Sequence, residues 1–268
     1  MSYTQAAMLH AAAARLAPAQ VAAAPTAPVD AAKRLAARAA VDAHVRDGMR
    51  VGVGSGSTIV YAIQRLAELA HPPAGGAPPL RVTCVPTSFQ ARTLLVDCGL
   101  PLAELNACPE LDVALDGADE VDRALNCIKG GGACQTQEKL VAAAAARFVV
   151  VADGSKRAPG GLGTTWRRGV PVEVLPPAYV PVMRALARLG GAPALRMGGG
   201  AKAGPVVTDN GGFVVDADFG PIADPAALHA AIKALPGVVE SGIFAGMASV
   251  AFFGLEDGTV ETWEAPPR

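Results

Sequence analysis

Between residues 49 and 156 the chain repeats one pattern: a short apolar run, a cluster of glycine and polar residues, then a stretch of helical composition. Apolar runs at 49–53, 80–85, 111–115 and 148–152 read as strands. They lead into Gly54-Ser55-Gly56-Ser57-Thr58, Pro86-Thr87-Ser88, Asp116-Gly117-Ala118-Asp119-Glu120 and Asp153-Gly154-Ser155-Lys156. Helices are predicted at 31–45, with Asp30 as its cap and Leu35, Ala39 and Ala43 on one face, and at 59–69, 88–98 and 136–147. Strands alternating with helices form βαβ units and a mostly parallel sheet. Ligands on such sheets sit outside the carboxyl ends of the strands, where all four clusters fall.

Beyond residue 162 the rhythm changes. Strands are predicted at 170–175, 194–197, 206–208, 213–216 and 238–241, helices at 177–189 and 224–235, and a turn at Asp209-Asn210-Gly211-Gly212. The order is the split β-α-β-β-α-β arrangement. Runs at 248–253 and 259–263 read as a hairpin returning to the first sheet. The expected architecture is α/β: a Rossmann-like, mostly parallel sheet with helices on both faces (residues 29–163 and 243–268), plus a smaller ferredoxin-like α+β domain (164–242). Residues 1–28 hold twelve Ala, three Pro and one charged residue, Arg15, and read as an Ala-rich N-terminal extension rather than a targeting signal.

Composition closes off other classes. A chain of 268 residues that is 51% hydrophobic can bury a sizeable core, which excludes general disorder. A net charge of -1 gives no electrostatic footprint for nucleic acid or an anionic membrane. No apolar run reaches the roughly 18 residues of a membrane span. Five cysteines with no C-x-x-C pair support neither a disulfide framework nor a zinc site, and a cytoplasmic location is expected. Cys134 lies in a glycine-rich loop, but no histidine lies nearby in sequence to activate it.

The strand-end clusters carry the chemistry. Gly54 and Gly56 let the backbone close on an anion, and Ser57 and Thr58 add hydroxyls at a helix N-terminus, which makes a phosphate cradle. No Gly-Lys-Ser/Thr follows, and the glycine spacing is wrong for a dinucleotide, so a single phosphate on a small ligand fits best. Asp116 and Asp119 suit sugar hydroxyls or a divalent ion, or form a solvated acidic turn; no histidine or second acidic cluster close in sequence supports the metal. Lys129 and the N–H groups of Gly130, Gly131 and Gly132 suit stabilisation of an oxyanion. Glu138, in the first turn of a helix capped by Thr136, is a candidate carboxylate base; the helix N-terminus and a nearby Lys would favour its ionised form.

Taken together, these motifs resemble the type A ribose-5-phosphate isomerases in order and spacing. Lys129-Gly130-Gly131-Gly132-Ala133, Glu138-Lys139, Pro171-Val172-Glu173-Val174, Gly204-Pro205-Val206-Val207-Thr208-Asp209-Asn210-Gly211 and Leu235-Pro236-Gly237-Val238-Val239-Glu240 extend the likeness over about residues 30–263. The resemblance implies that Glu138 is the proton-transfer base and that residues Ser55, Gly56, Ser57 and Thr58 form the phosphate loop. It implies that Asp116 and Asp119, with Gly117 and Ala118 between them, contact the sugar. Lys129 to Gly132 lie beside the reacting carbonyl, and Lys156 is a further substrate contact. A basic residue of the first helix would help hold the phosphate; Lys33 and Arg34 both qualify, and Arg34 is favoured. No metal or cofactor is implied, and a homodimer or homotetramer is.

The implied reaction opens D-ribose 5-phosphate to its aldehyde, with Asp116 assisting. It proceeds through a cis-enediolate to D-ribulose 5-phosphate, in the pentose phosphate pathway. Two other classes share related folds. A sugar-phosphate-sensing regulator would need a basic DNA-binding segment, which the Ala-rich start does not provide. A coenzyme A transferase would use a glutamate nucleophile, a role for which Glu138 could be mistaken.

Overall fold

The computed structural model describes residues 28–265, so the extension predicted at 1–28 lies almost wholly outside the described residues. The chain enters through helix α1 (Pro28–His44) and strand β1 (Arg50–Val53). Helix α2 (Ser57–Ala70), strand β2 (Thr83–Pro86), helix α3 (Phe89–Asp97) and strand β3 (Val113–Asp116) follow. Two short strands, β4 (Glu120–Val121) and β5 (Cys127–Ile128), precede helix α4 (Gln135–Ala143) and strand β6 (Phe148–Asp153).

The sheet order is β2, β1, β3, β6, then two C-terminal strands, β12 (Val250–Gly254) and β13 (Val260–Glu264). All neighbours pair in parallel except β12 and β13, which form the predicted hairpin. The central strands are apolar throughout because both faces are covered. In β6, Val149 and Val151 face a core shared with α1 and α2, while Phe148, Val150 and Ala152 face a second core that includes Val141 of α4.

The second unit is built from β7 (Val170–Val174), α5 (Tyr179–Arg188), β8 (Ala192–Leu195), β9 (Phe213–Asp218), α6 (Pro225–Lys233) and β10 (Val238–Ser241). Its antiparallel sheet has the order β10-β7-β9-β8, which is the ferredoxin-like arrangement. A third sheet joins β4 and β5 to β11 (Ile243–Phe244) and links the two larger sheets.

Four features differ from the sequence reading. The strand predicted at 206–208 is reduced to isolated bridges, because Thr208 turns its hydroxyl onto Glu173. Helix α4 ends at Ala143 rather than 147, since Leu111 draws residues 144–146 into backbone bonds of its own. That helix is not capped by Thr136: its N-cap is Cys134, and the Thr136 hydroxyl donates to Glu173. On α1 the buried face is Ala32, Ala36, Ala37, Ala40 and Val41, so the expected stripe of Leu35, Ala39 and Ala43 is out of phase, and Leu35 is exposed.

Candidate active site

From β1 the chain moves to β2 on one side and later returns to β3 on the other. Loops leaving the carboxyl ends of β1 and β3 therefore diverge, and a switch point of this kind opens a crevice. A cavity of about 250 Å³ lies there, lined by residues from the loops after β1, β3, β5 and β6, by Glu138 on α4, by Lys33 on α1 and by Gln90 on α3.

The β1 loop is shaped by Asp116. A Cβ at Gly54 would lie 1.9 Å from Asp116 Oδ1, so only glycine lets the backbone pass there. The N–H groups of Ser55 and Gly117 then both donate to that oxygen, at 3.1 and 2.7 Å. Gly56 adopts φ +97° at the start of α2 and donates its N–H to Gln90 Oε1 at 2.8 Å. Ser57 and Thr58 occupy the first helical turn, where backbone N–H groups have no intrahelical partner and an anion is favoured. Ser55 lines the cavity as well, but its hydroxyl bonds to those of Thr87 and Ser88 at 2.8 and 2.6 Å.

The floor of the cavity is charged. Lys129 is 2% exposed, and its Nζ lies 3.0 Å from Asp116 Oδ2 and 3.0 Å from Glu138 Oε2. It also donates to the Gly117 carbonyl. Burial alone would lower the Lys129 pKa, but the two carboxylates outweigh burial and hold it above its ordinary value. Burial and the Asp116 charge push Glu138 up to about 8, against the pull of Lys129. The sequence reading favoured a readily ionised Glu138; the expected lysine is present, but desolvation dominates. Asp116 is raised too, chiefly by burial.

Asp116 is 3% exposed and lies behind the cavity wall, with its oxygens turned to the two N–H groups and Lys129. The resemblance expects Asp116 to contact the sugar; in the fold it lies one layer behind the lining, sharing Lys129 with Glu138. Asp119 does line the cavity, and its Oδ2 accepts the Gly131 N–H at 2.7 Å. The neighbouring acids turn away. Glu120 accepts the N–H groups of Gly163, Thr164, Thr165 and Trp166 and the Thr165 hydroxyl. Asp122 accepts the N–H groups of Ala124 and Asn126. Among the described residues no group of three or more His, Cys, Asp or Glu gathers as ion ligands would.

Gly117, Ala118, Gly130, Gly131, Gly132 and Lys156 line the cavity, and Lys156 Nζ lies 5.9 Å from the centre of the Trp166 ring. Lys33, not the favoured Arg34, reaches the lining, while Arg34 lies close enough to Tyr61 on α2 to influence its hydroxyl. The Cys134 thiol is pushed up to about 12, by burial first, which keeps it protonated. Gln90 was not singled out by sequence: it reaches the site from the next strand's helix, and nothing local marks it.

The model of the family "Ribose 5-phosphate isomerase A (phosphoriboisomerase A)" matches residues 83–258. A ribose-5-phosphate isomerase from Debaryomyces hansenii is 53% identical over 237 residues, covering 88% of this chain and 91% of the relative. The chain belongs to the ribose 5-phosphate isomerase A family. The human ribose-5-phosphate isomerase is 51% identical, covering 88% of this chain and 74% of its own. Among solved structures, a D-ribose-5-phosphate isomerase in complex with phospho-erythronic acid superposes with a TM-score of 0.80 at 38% identity, covering 88% of this chain and 99% of that one. The isomerase A of Methanocaldococcus jannaschii gives 0.78 at 40% identity, covering 87% and 98%. As a ribose-5-phosphate isomerase, the chain interconverts D-ribose 5-phosphate and D-ribulose 5-phosphate. Among the described residues no helix is long and apolar enough to cross a membrane.

Proposed function

We propose that a single carboxylate, Glu138, moves the proton in this isomerisation while the substrate is anchored by its phosphate. The phosphate sits at the first turn of α2, against Ser57, Thr58 and the Gly56 loop, with Lys33 adding positive charge. In the open-chain aldose, Glu138 takes the C2 proton, and the electron pair moves through the C1–C2 bond onto the C1 oxygen. Lys129 and the N–H groups of the triple-glycine loop stabilise that oxyanion. The hydroxyl proton of O2 passes to O1, protonated Glu138 returns its proton to C1, and the ketose leaves with all atoms accounted for. Asp119 faces the sugar; Asp116 holds Lys129 and raises the basicity of Glu138. A base whose pKa lies close to the working pH combines availability with driving force.

One observation carries this reading: on the cavity floor, beside the triple-glycine loop, the Lys129 ammonium sits 3.0 Å from Glu138 and 3.0 Å from Asp116 behind it. Turnover of C2-deuterated ribose 5-phosphate tests it. One base returning its own proton leaves part of the label on C1 of the ketose, whereas two separate bases give complete washout. The same reading takes residues 29–163 and 243–268 as the catalytic unit and 164–242 as the smaller one. It also takes the enzyme as a cytoplasmic homodimer or homotetramer without a resident metal or cofactor. Exposed Phe89 and Leu140 supply apolar surface for subunit contact.

A further inference from the structure

The four-stranded sheet reaches into the catalytic loop through one side chain. Arg196 follows β8, and its backbone is fixed on both sides: its N–H donates to Val214 O and its carbonyl accepts from Val206, each at 2.8 Å. Its side chain is 9% exposed, and the guanidinium grips Asp216 of β9 through Nε at 2.8 Å and Nη2 at 2.5 Å. The remaining nitrogen, Nη1, donates to the carbonyls of Gly130 at 2.9 Å and Gly131 at 3.1 Å.

Those contacts decide which way the peptides face. In a trans peptide the C=O and the next N–H point in opposite directions. With both carbonyls on Arg196, the N–H groups of Gly131 and Gly132 turn away from it. The Gly131 N–H meets Asp119 at 2.7 Å, and Gly132 lines the cavity. The loop closes at Ala133 with φ +64°, a strained conformation that persists only when its surroundings fix it. A cation on two carbonyls also polarises these peptides and strengthens their N–H groups as donors.

We infer that Arg196, clamped by Asp216, is a positioning residue for the isomerisation: it turns the Gly131 N–H onto Asp119 and leaves the Gly132 N–H to face the oxyanion. The inference rests on the reading of that loop given above. It places the loop's control in the second unit, more than sixty residues along the chain.

Two ligands separate this role from mere structure. Phospho-erythronic acid carries a carboxylate where the oxyanion develops; ribitol 5-phosphate is neutral there. Arg196→Met is expected to lower kcat by about 10–100-fold. It should weaken phospho-erythronic acid in proportion, with KM and the ribitol phosphate Kd within about threefold of wild type. Asp216→Asn keeps the shape but loosens the clamp, so it shows the same pattern with a smaller kcat loss of about three- to tenfold; it decides the matter should Arg196→Met not fold. Wild-type kcat in both variants, or equal loss of affinity for both ligands, overturns the role of Arg196. A wild-type enzyme that does not prefer the acid over ribitol phosphate removes the oxyanion reading and this role with it. A preference that both variants retain in full removes this role alone.

Discussion

Glu120, in strand β4, and Glu138, in the first turn of α4, are both buried carboxylates, yet they are surrounded in opposite ways. Glu120 is wrapped by the segment 163–166, which turns backbone N–H groups and a hydroxyl onto it. Glu173, also fully buried, is treated similarly by Thr136, Thr208 and Asn210. Fixed neutral dipoles of this kind replace the water that a buried carboxylate has lost. Glu138 meets Lys129, a cation it shares with Asp116. One cation between two buried carboxylates leaves the second negative charge poorly stabilised, so Glu138 rises to about 8. The structural acids are thus solvated by loops, and the reactive one is kept short of partners so that it can hold a proton.

Glu138→Gln gives the largest break in this comparison. Loss of the base should cost kcat roughly 10²–10⁴-fold, while the fold stays intact because a buried charge next to Asp116 has been removed. The measurement is conversion of ribose 5-phosphate to the ketose with excess chelator; a kcat within tenfold of wild type would assign the proton transfer elsewhere.

Glu120→Gln should do the reverse. An amide would turn an NH2 group toward N–H donors, leaving a buried mismatch of about 2–3 kcal/mol. The thermal midpoint should drop by roughly 5–10 °C, with kcat of the folded enzyme retained within a few-fold. A variant that melts like wild type but loses turnover would make Glu120 a second reactive acid and dissolve the contrast.

Asp116→Asn sharpens the electrostatic side. Removing the second carboxylate should lower the Glu138 pKa, moving the acid limb of the kcat/KM profile down by about one pH unit. The stability sign follows from the same shift. Glu138 binds its proton more tightly in the folded than in the unfolded chain. Its contribution is therefore complete below the ordinary carboxylate range and is lost as pH rises through about 8. In Asp116→Asn that loss should occur at lower pH, as read by denaturant titrations across the range. An unmoved acid limb with a large fall in kcat would instead make Asp116 a direct participant.

Much of this was legible because the decisive residues sit at strand ends marked by glycine. Gly54 and the Asp116 turn were found as separate clusters, and the fold unites them through the 1.9 Å approach that only glycine permits. Glu138 followed from its place in the first turn after three glycines. What could not be read depends on long-range contact or on very short elements. Strands β4, β5 and β11 have two residues each, too few for an alternation to register. Arg196 reaches Gly130 from a different sheet, and nothing around it in sequence marks that destination. The rotation of α1 was likewise open, because a helix of nearly uniform alanines gives a weak phase: Ala36 and Ala40 are buried where Leu35 and Ala39 were expected.

That phase underlies the smallest expected effect. Lys33 and Arg34 are adjacent, hence about 100° apart around the helix, and only one can face the phosphate. Lys33 lines the cavity, paired with Asp30 at a loose 3.6 Å in a partly exposed ion pair that is worth little and easily released. Lys33→Ala should raise KM for ribose 5-phosphate by about three- to tenfold with kcat unchanged, less so at high salt. Ser57→Ala should fall in the same range, whereas Arg34→Ala should leave KM within about twofold. A larger KM effect at Arg34 than at Lys33 would mean that α1 presents its other face to the phosphate. The anchoring charge would then have to come from the side of Tyr61.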